Sequence, residues 1–275
     1  MKLIQQTIQL QPSLTLPWDE MLLMPISDVQ YGAVGCDFDK FQRHMDWGLE
    51  HGAYFVGLGD YLDVASPTGR RKLLNADLHD SEINALEEIA ALHLARFYEA
   101  VKLSRGRWLG LVHGHHYFDF KDGTTTDTRL AELLACEFLG DAAIVQLDFP
   151  GHAISCQIWL HHGTGSGETM ASPLNKLEKQ MVGWPTVDIF LMGHYSRKIS
   201  ASLDGLVPVF GEIPRLVAKR RILACTGGFV KGYTLDTVSY IERDMLRPTN
   251  LGGLVIYIRP VRTEYGGRLD LNCSV

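Results

Sequence analysis

The stretch AYFVGLGD, residues 53–60, is an unbroken apolar run that ends in a glycine and a carboxylate, Gly59 and Asp60. Such a run is typical of a strand that is buried on both faces, as in a sheet covered by helices. Glycine followed by aspartate is a turn signal, so the strand is expected to end there. The sequence therefore predicts a buried strand with an acidic side chain at its carboxyl end.

Predicted strands and helices alternate on both sides of this run. Further strands are predicted at Met21–Ile26, Trp108–Val112, Ala142–Phe149, Ala153–Leu160 and Val187–Met192. Helices are predicted at Phe38–Leu49, Ser81–Leu103, Thr126–Phe138 and Pro173–Val182. The first helix has Asp37 as its N-cap and Gly52 as its stop. This alternation favours an α/β sheet with helices outside. Because no repeat or linker divides the chain, we expect a single domain over residues 1–275, β-rich from about residue 197.

The composition limits the class of protein. The chain has 275 residues, of which 46% are apolar and 21% are charged, and its net charge is −6. These values predict a globular protein and argue against general coating of nucleic acid, which depends on clustered Lys and Arg. The apolar runs are too short to span a membrane, and the N-terminus turns polar too early for a signal peptide. The five cysteines are scattered without a C-x-x-C pair, so we expect reduced thiols in a cytoplasmic protein with no membrane partner.

Polar segments that contain histidine or aspartate follow five of the predicted strands. They are Asp28-Val29-Gln30, Gly59-Asp60, Gly114-His115-His116, His161-His162-Gly163 and Gly193-His194-Tyr195-Ser196. Each alone has an ordinary explanation, since aspartate often caps a turn and a lone histidine is often a hydrogen-bonded core residue. Together they bring carboxylates and imidazoles, which bind divalent metals, to the edge where α/β sheets place their sites. The sequence therefore predicts a metal site at the strand C-termini.

In their order and spacing these segments resemble the calcineurin-like metallophosphoesterase superfamily, whose pattern is D-x-H, G-D, G-N-H, H-G and G-H-x-H. The resemblance runs from Asp28 to Ser196 and implies a β-sandwich flanked by helices, with the metal site at strand C-termini. The stretches Tyr61–Pro67 and His162–Gly167 resemble a branch that is common in viral and prokaryotic genomes.

The resemblance also implies two adjacent divalent metal ions bridged by Asp60. The first metal would take Asp28 and Gln30. The ligands implied for the second metal are His115, His162 and His194. His116 matches the family's non-ligand histidine, which faces the phosphate and the leaving group. The candidate catalytic residues are therefore His116 and Asp60.

Three residues depart from the family pattern. Gln30 and Ser196 stand where the family usually has histidine, and His115 stands where it usually has asparagine. The first position thus offers oxygen donors only, with Ser196 as a further candidate ligand, and suits manganese or magnesium. The second position is rich in nitrogen and suits manganese, zinc, iron, nickel or cobalt. We expect one tight and one labile ion, and a one-metal protein is the extreme form of the same pattern.

Three more residues are candidates for supporting roles. His113 and His161 lie beside the ligand histidines and are candidates for additional ligands or for groups that orient the ligands, although His113 equally fits an ordinary strand position. Lys176 follows the glycine-rich loop Gly163–Gly167 and is a candidate substrate contact. A solvated helix face explains Lys176 equally well.

The favoured functional hypothesis is a metal-dependent phosphoesterase that hydrolyses a phosphomonoester or phosphodiester through a metal-activated water. A nuclease of the same fold is the second hypothesis. The basic runs Arg70–Lys72 and Lys219–Arg221 fit a polyanion, although the net charge of −6 argues against nucleic acid. The third hypothesis is a non-catalytic relative with a single structural or binding metal, which Gln30 and Ser196 keep open.

Overall fold

Two six-stranded mixed sheets form the centre of the protein. The computed structural model describes residues 1–8, 20–64, 69, 72–73, 76, 79–165, 167, 169–210, 213–235, 238–263 and 266–275. In spatial order the first sheet contains Lys2–Thr7 (β1), Ala142–Phe149 (β6), Ile154–His161 (β7), Ile189–Met192 (β8), Arg215–Cys225 (β10) and Ile199–Val209 (β9). The second contains Gly266–Ser274 (β12), Val255–Thr263 (β11), Met21–Ile26 (β2), Tyr54–Gly57 (β3), Trp108–Val112 (β4) and Phe138–Gly140 (β5).

The helices of the described residues lie outside this pair of sheets. They are Phe38–Glu50 (α1), Asp80–Val101 (α2), Thr126–Leu134 (α3), Ala171–Gly183 (α4) and the short Tyr240–Arg243 (α5), with 3₁₀ turns at Lys102–Ser104 and Pro150–His152. The predicted cap of α1 is confirmed, because the Asp37 side chain accepts a hydrogen bond from the Lys40 backbone N–H at 3.1 Å.

Most of the core lies in three layers of apolar side chains. The central layer joins the two sheets, with Val56 and Leu23 of the second sheet in one cluster with Leu160 and Leu191 of the first. A second layer lies between the second sheet and helices α1 to α3, and a third lies between the first sheet and α4. The predicted class is therefore confirmed: the protein is an α/β sandwich of two sheets flanked by helices.

The run at residues 53–60 lies in the middle of the second sheet. Its strand β3 pairs in parallel with β2 on one side and with β4 on the other. Phe55 and Val56 are fully buried, one facing the helices and the other facing the first sheet. Parallel pairing brings the carboxyl ends of these strands to one edge, which is the edge that carries the predicted site segments.

One predicted boundary was wrong. The helix expected at Thr126–Phe138 ends at Leu134, because Ala135 takes a left-handed conformation with φ of 56° and closes the helix. Phe138 instead begins β5, which pairs in parallel with β4. Other boundaries moved by one or two residues; for example, β7 begins at Ile154, β8 begins at Ile189 and α2 ends at Val101. None of the described helices is long and apolar enough to cross a membrane.

Candidate metal centre

The site segments meet where the two sheets come together. The second sheet supplies Asp28 after β2, Asp60 after β3 and His115 after β4. The first sheet supplies His162 after β7 and His194 after β8. Because these strands run in parallel within each sheet, all five side chains leave the same edge of the sandwich.

The backbone at this edge is held in an unusual conformation. Five predicted site residues that are not glycine have positive φ: Asp28 at 51°, Gln30 at 47°, Asp60 at 56°, His194 at 70° and Ser196 at 49°. Positive φ is uncommon for residues with a side chain and persists where the surrounding structure imposes it. Such residues concentrate at functional sites, so the conformation is independent support for a site at these positions.

Glycine at position 59 allows the strand exits to approach one another. Gly59 has φ of +92°, and a Cβ there would lie 2.5 Å from the Cα of Gly114 and 2.7 Å from Nδ1 of His162. Any side chain would therefore push apart the segments that carry the candidate ligands. This contact explains why the turn between strand and carboxylate needs glycine.

Potential ligand atoms form two groups that share one histidine. His115, His162 and His194 form the first group, and Asp28, Asp60 and His162 form the second, with the ligand atoms of each group within 4.8 Å of one another. The imidazole rings are arranged edge to face, with centroids 4.5 Å apart for His115 and His162. The structure thus brings together the residues predicted for the nitrogen-rich position, and it places both carboxylates beside them.

The His162 side chain is oriented for a ligand. Its Nδ1 donates to the Leu58 carbonyl at 2.6 Å, which leaves Nε2 as the acceptor of the neutral ring. Nε2 is buried, lies 3.3 Å from Oδ2 of Asp60 and lacks a partner in hydrogen-bond geometry. Burial alone would lower the pKa of His162, but the carboxylates of Asp60 and Asp28 raise it to about 9. The carboxylates of Asp60 and Asp28 therefore favour a positive charge at the His162 ring.

The other two histidines fit the same centre. Nε2 of His194 lies 2.8 Å from the Gly165 carbonyl, and because a carbonyl only accepts, this nitrogen donates and Nδ1 is the acceptor. Burial and the neighbouring His162 lower the pKa of His115 to about 4, so its ring is neutral, as metal ligation requires. The three imidazoles, with the unpartnered buried Nε2 of His162 among their nitrogens, suit a borderline divalent cation.

The carboxylates are fixed by hydrogen bonds from the strand exits. Oδ1 of Asp60 accepts from the backbone N–H groups of His115 at 2.5 Å and His116 at 3.0 Å. Burial would raise the pKa of Asp60, but His162 and these donors hold it below its ordinary value. Oδ2 of Asp28 accepts from the His194 N–H at 2.8 Å and from the Ser27 hydroxyl at 2.5 Å. Each carboxylate thus ties adjacent segments together.

His116 has a carboxylate partner that the sequence pattern did not single out. Its Nδ1 donates to Oδ1 of Asp63 at 2.7 Å, and the side chains are 24% and 32% exposed. Burial lowers the pKa of His116, and Asp63 and Asp60 reverse that effect, so the pKa lies above its ordinary value. The available signal was local, because Asp63 follows Asp60 by three residues in the same strand exit.

The predicted supporting residues lie around the ligand groups rather than within them. His113 contacts Oδ2 of Asp127 at 3.1 Å, and the same oxygen accepts from the Gly114 N–H at 3.0 Å. His161 Nδ1 accepts from the Gly163 N–H at 2.7 Å. Lys176 Nζ donates to the Thr164 carbonyl at 2.5 Å. These contacts hold the turns on which the candidate ligands lie.

Tyr240, in α5, reaches the first-metal position from a part of the chain beyond every motif. The side chains of Gln30 and Ser196 lie near its hydroxyl, and burial together with the charge of Asp28 raises its pKa well above the ordinary value. Ser196 also approaches Oδ1 of Asp28 at 3.4 Å. No local pattern in the sequence links residue 240 to this site.

No protein-family model and no curated protein matches the chain. Among solved structures, the chain is similar to vacuolar protein sorting 29 from Cryptosporidium parvum, with 12% identity and a TM-score of 0.39 over 93% of this chain and 98% of that one. The two flanked sheets, with the five segments at their strand exits, match the β-sandwich with a site at strand C-termini that the sequence resemblance implied. Residues 65–67 and 166, on which part of the viral and prokaryotic resemblance rests, lie outside the described residues.

Proposed function

We propose that this protein is a metal-dependent phosphoesterase that hydrolyses a phosphomonoester or a phosphodiester. The observation that carries the proposal is the pair of ligand groups sharing His162, with the His116–Asp63 pair beside them. A divalent ion held there would polarise a phosphoryl oxygen and lower the pKa of a water toward neutrality. The protein's own contribution is to hold the ligands, orient His116 and donate a proton.

The nitrogen-rich position is assigned to His115, His162 and His194, with Asp60 as the carboxylate between the two positions. The arrangement is rigid, because Leu58 and Gly165 carbonyls orient two of the rings. Carbonyl or carboxylate partners on the second ring nitrogen are the usual way to orient a metal-bound histidine. We assign a transition ion to this position and a more loosely held manganese or magnesium ion to the oxygen-donor position of Asp28 and Gln30.

His116 is assigned the role of general acid. The Asp63 carboxylate holds the ring through Nδ1 and stabilises its protonated form, and that form can give a proton to the leaving oxygen. Asp60 fixes the same residue through its backbone N–H. The two carboxylates therefore align His116 with the ligand groups from both its backbone and its side chain.

The nuclease hypothesis receives less support. Within the described residues, the run Lys219–Arg221 is already engaged: Lys219 pairs with Asp188 at 2.9 Å and Arg220 pairs with Asp204 at 2.7 Å. Residues 70 and 71 of the other basic run lie outside the described residues. A cytoplasmic location remains part of the proposal, since all five cysteines are free thiols, as a reducing compartment requires.

A non-catalytic metal-binding protein is the competing candidate, because the first-metal position carries Gln30 and Ser196, which offer oxygen donors in place of imidazoles. The test is to purify the protein, measure its metal content by mass spectrometry, and assay an aryl phosphomonoester and an aryl phosphodiester with added manganese. We expect metal-dependent hydrolysis that is abolished in His116→Ala and unchanged in His51→Gln, an exposed histidine at the end of α1. Bound metal without hydrolysis of either ester would favour the non-catalytic candidate.

A further inference from the structure

Three glycines, Gly227, Gly228 and Gly252, lie together beside the metal centre. The Gly252 N–H donates to the Gly228 carbonyl at 3.0 Å, and a Cβ on Gly227 would collide with the Gly252 carbonyl oxygen. A Cβ on Gly228 would lie 2.8 Å from Cβ of Asp28 and 3.2 Å from Oγ of Ser196. The backbone of these glycines therefore borders the first-metal position directly, without side chains in between.

Two lysines from different parts of the chain converge on these glycines. Nζ of Lys198 and Cε of Lys40 each lie 4.0 Å from the position that a Cβ on Gly252 would take. Lys40 belongs to α1, and Lys198 lies between β8 and β9. Burial and the charges of both lysines lower the pKa of His44, so the two positive charges also act on a common neighbour. The fold thus concentrates positive charge next to the metal centre.

The charges of these two lysines are not balanced by the protein. Within the part of the chain that the structure describes, neither the Lys40 nor the Lys198 side chain makes an ion pair or a hydrogen bond, although both residues are partly buried. The neighbouring Lys231, by contrast, pairs with Oδ2 of Asp37 at 3.2 Å. Like charges that converge repel each other, and an anion between them turns that repulsion into attraction.

Backbone donors at the same place also lack acceptors. Gly227 and Gly228 are buried, and no acceptor among the described residues receives a hydrogen bond from either N–H group. Buried backbone N–H groups are nearly always paired, so an unpaired couple indicates a ligand that accepts. The N–H groups and the lysines are all donors, and an anionic oxygen group is the ligand that both require.

We propose that Lys40 and Lys198, with the N–H groups of Gly227 and Gly228, bind a second phosphate group of the substrate. Two lysines supply two positive charges, which a phosphate of charge about −2 balances and a carboxylate does not. The substrate class is thus an ester with two phosphate groups, one at the metal centre and the other between the lysines. This inference rests on the proposed function for the first phosphate, whereas the second is measured by binding alone.

The test measures the binding of alkane bisphosphonates of increasing chain length to the manganese-loaded protein by isothermal titration calorimetry. Each is compared with the alkyl monophosphonate of the same length, and neither class is hydrolysed, because the carbon–phosphorus bond is stable. The bisphosphonate whose length fits the two positions should bind wild type about 10- to 100-fold more tightly than its monophosphonate, as expected for charge-assisted hydrogen bonds.

Variants of the lysines identify the second position. Lys40→Gln and Lys198→Gln should each remove most of the preference for the bisphosphonate. Metal content and monophosphonate affinity should stay at the wild-type values, which also shows that the variants are folded. Lys231→Gln is the matched control, because it removes the same charge from the segment that follows Gly228, where Lys231 is already paired with Asp37. It should keep the full preference.

Three results would overturn the second phosphate position. They are equal affinity for both probes at every chain length in wild type, a preference that survives in both lysine variants, and an equal loss of both probes in those variants. Hydrolysis of the aryl esters combined with any of these results would leave the proposed function intact. A lysine-dependent preference in a protein that hydrolyses neither aryl ester would instead contradict the proposed function and support the second position.

Discussion

Asp63 accepts a hydrogen bond from Nδ1 of His116 at 2.7 Å, and neither residue belongs to the groups of potential metal ligands. The carboxylate follows β3 and the histidine follows β4, so the pair spans two adjacent strand exits of one sheet. An imidazole oriented by a carboxylate is suited to proton transfer, because the carboxylate stabilises the charged ring. This relationship separates residues that bind metal from residues that act on substrate.

Replacing Asp63 should impair chemistry and leave metal in place. In Asp63→Asn the pKa of His116 should fall, because burial lowers it and Asp63 is the main group that raises it. If His116 acts as a protonated acid, the alkaline limb of the pH–rate profile moves to lower pH, and turnover at neutral pH falls by about 10- to 100-fold. Steady-state kinetics against pH measures this shift. Asp46→Asn, on α1, should reproduce the wild-type profile.

The histidines should divide into two classes when each is truncated. His116→Ala should retain metal and lose most turnover, about 10²- to 10⁴-fold, since it removes the proton donor. His162→Ala and His194→Ala should lose the tight ion, because two imidazoles cannot complete its coordination shell. Metal analysis of the purified variants provides the measurement. Equal metal loss in His116→Ala and His194→Ala would refute the division.

Metal removal should destabilise the whole fold. The ligands come from both sheets, so a bound ion links them, and an ion that binds only the folded state adds about 2.7 kcal/mol at a hundred times its dissociation constant. Chelation should therefore lower the melting temperature by roughly 5–10 °C in a calorimetric scan. Asp60→Asn, which removes a central carboxylate, should lose both activity and most of this response. If chelation left the melting temperature of the wild type unchanged, the assignment would be wrong.

A histidine outside the site should make the protein sensitive to acid. Burial, with the charges of Lys198 and Lys40, lowers the pKa of His44 to about 4. Between about pH 6.5 and pH 4 the unfolded chain binds a proton at this position and the folded chain does not, so stability falls as the pH falls. His44→Gln should reduce the loss of unfolding free energy between pH 7 and pH 4 by up to about 3 kcal/mol.

Urea unfolding at the two pH values measures this difference directly. His51→Gln is the matched control, because His51 follows the same helix and is exposed. The control should show the wild-type dependence on pH. An unchanged acid sensitivity in His44→Gln would mean that other groups account for it.

The sequence was sufficient for the strands and most of the candidate ligands because both are local signals. An apolar run such as residues 53–58 and the Gly-Asp after it are adjacent in the chain, and parallel pairing then determines which edge they share. The end of α3 at Ala135 could not be predicted from the sequence, because alanine favours helix, whereas the backbone of Ala135 is left-handed. The position of Tyr240 near Gln30 had no local signal in the sequence, since it depends on how the last third of the chain folds back.

The five left-handed residues at the strand exits also lower the thermal stability of the protein. Each such conformation is unfavourable by roughly 1–2 kcal/mol for a residue with a side chain, whereas glycine adopts it freely. Ser196, with φ of 49°, allows the smallest substitution that tests this effect, because Ser196→Gly relieves the backbone and removes only a hydroxymethyl group. Thermal stability therefore favours glycine at these positions, whereas the site requires residues that carry side chains. Homologues that had lost the function of the site would be expected to carry glycine at these positions. They would unfold at a higher temperature than homologues that keep it.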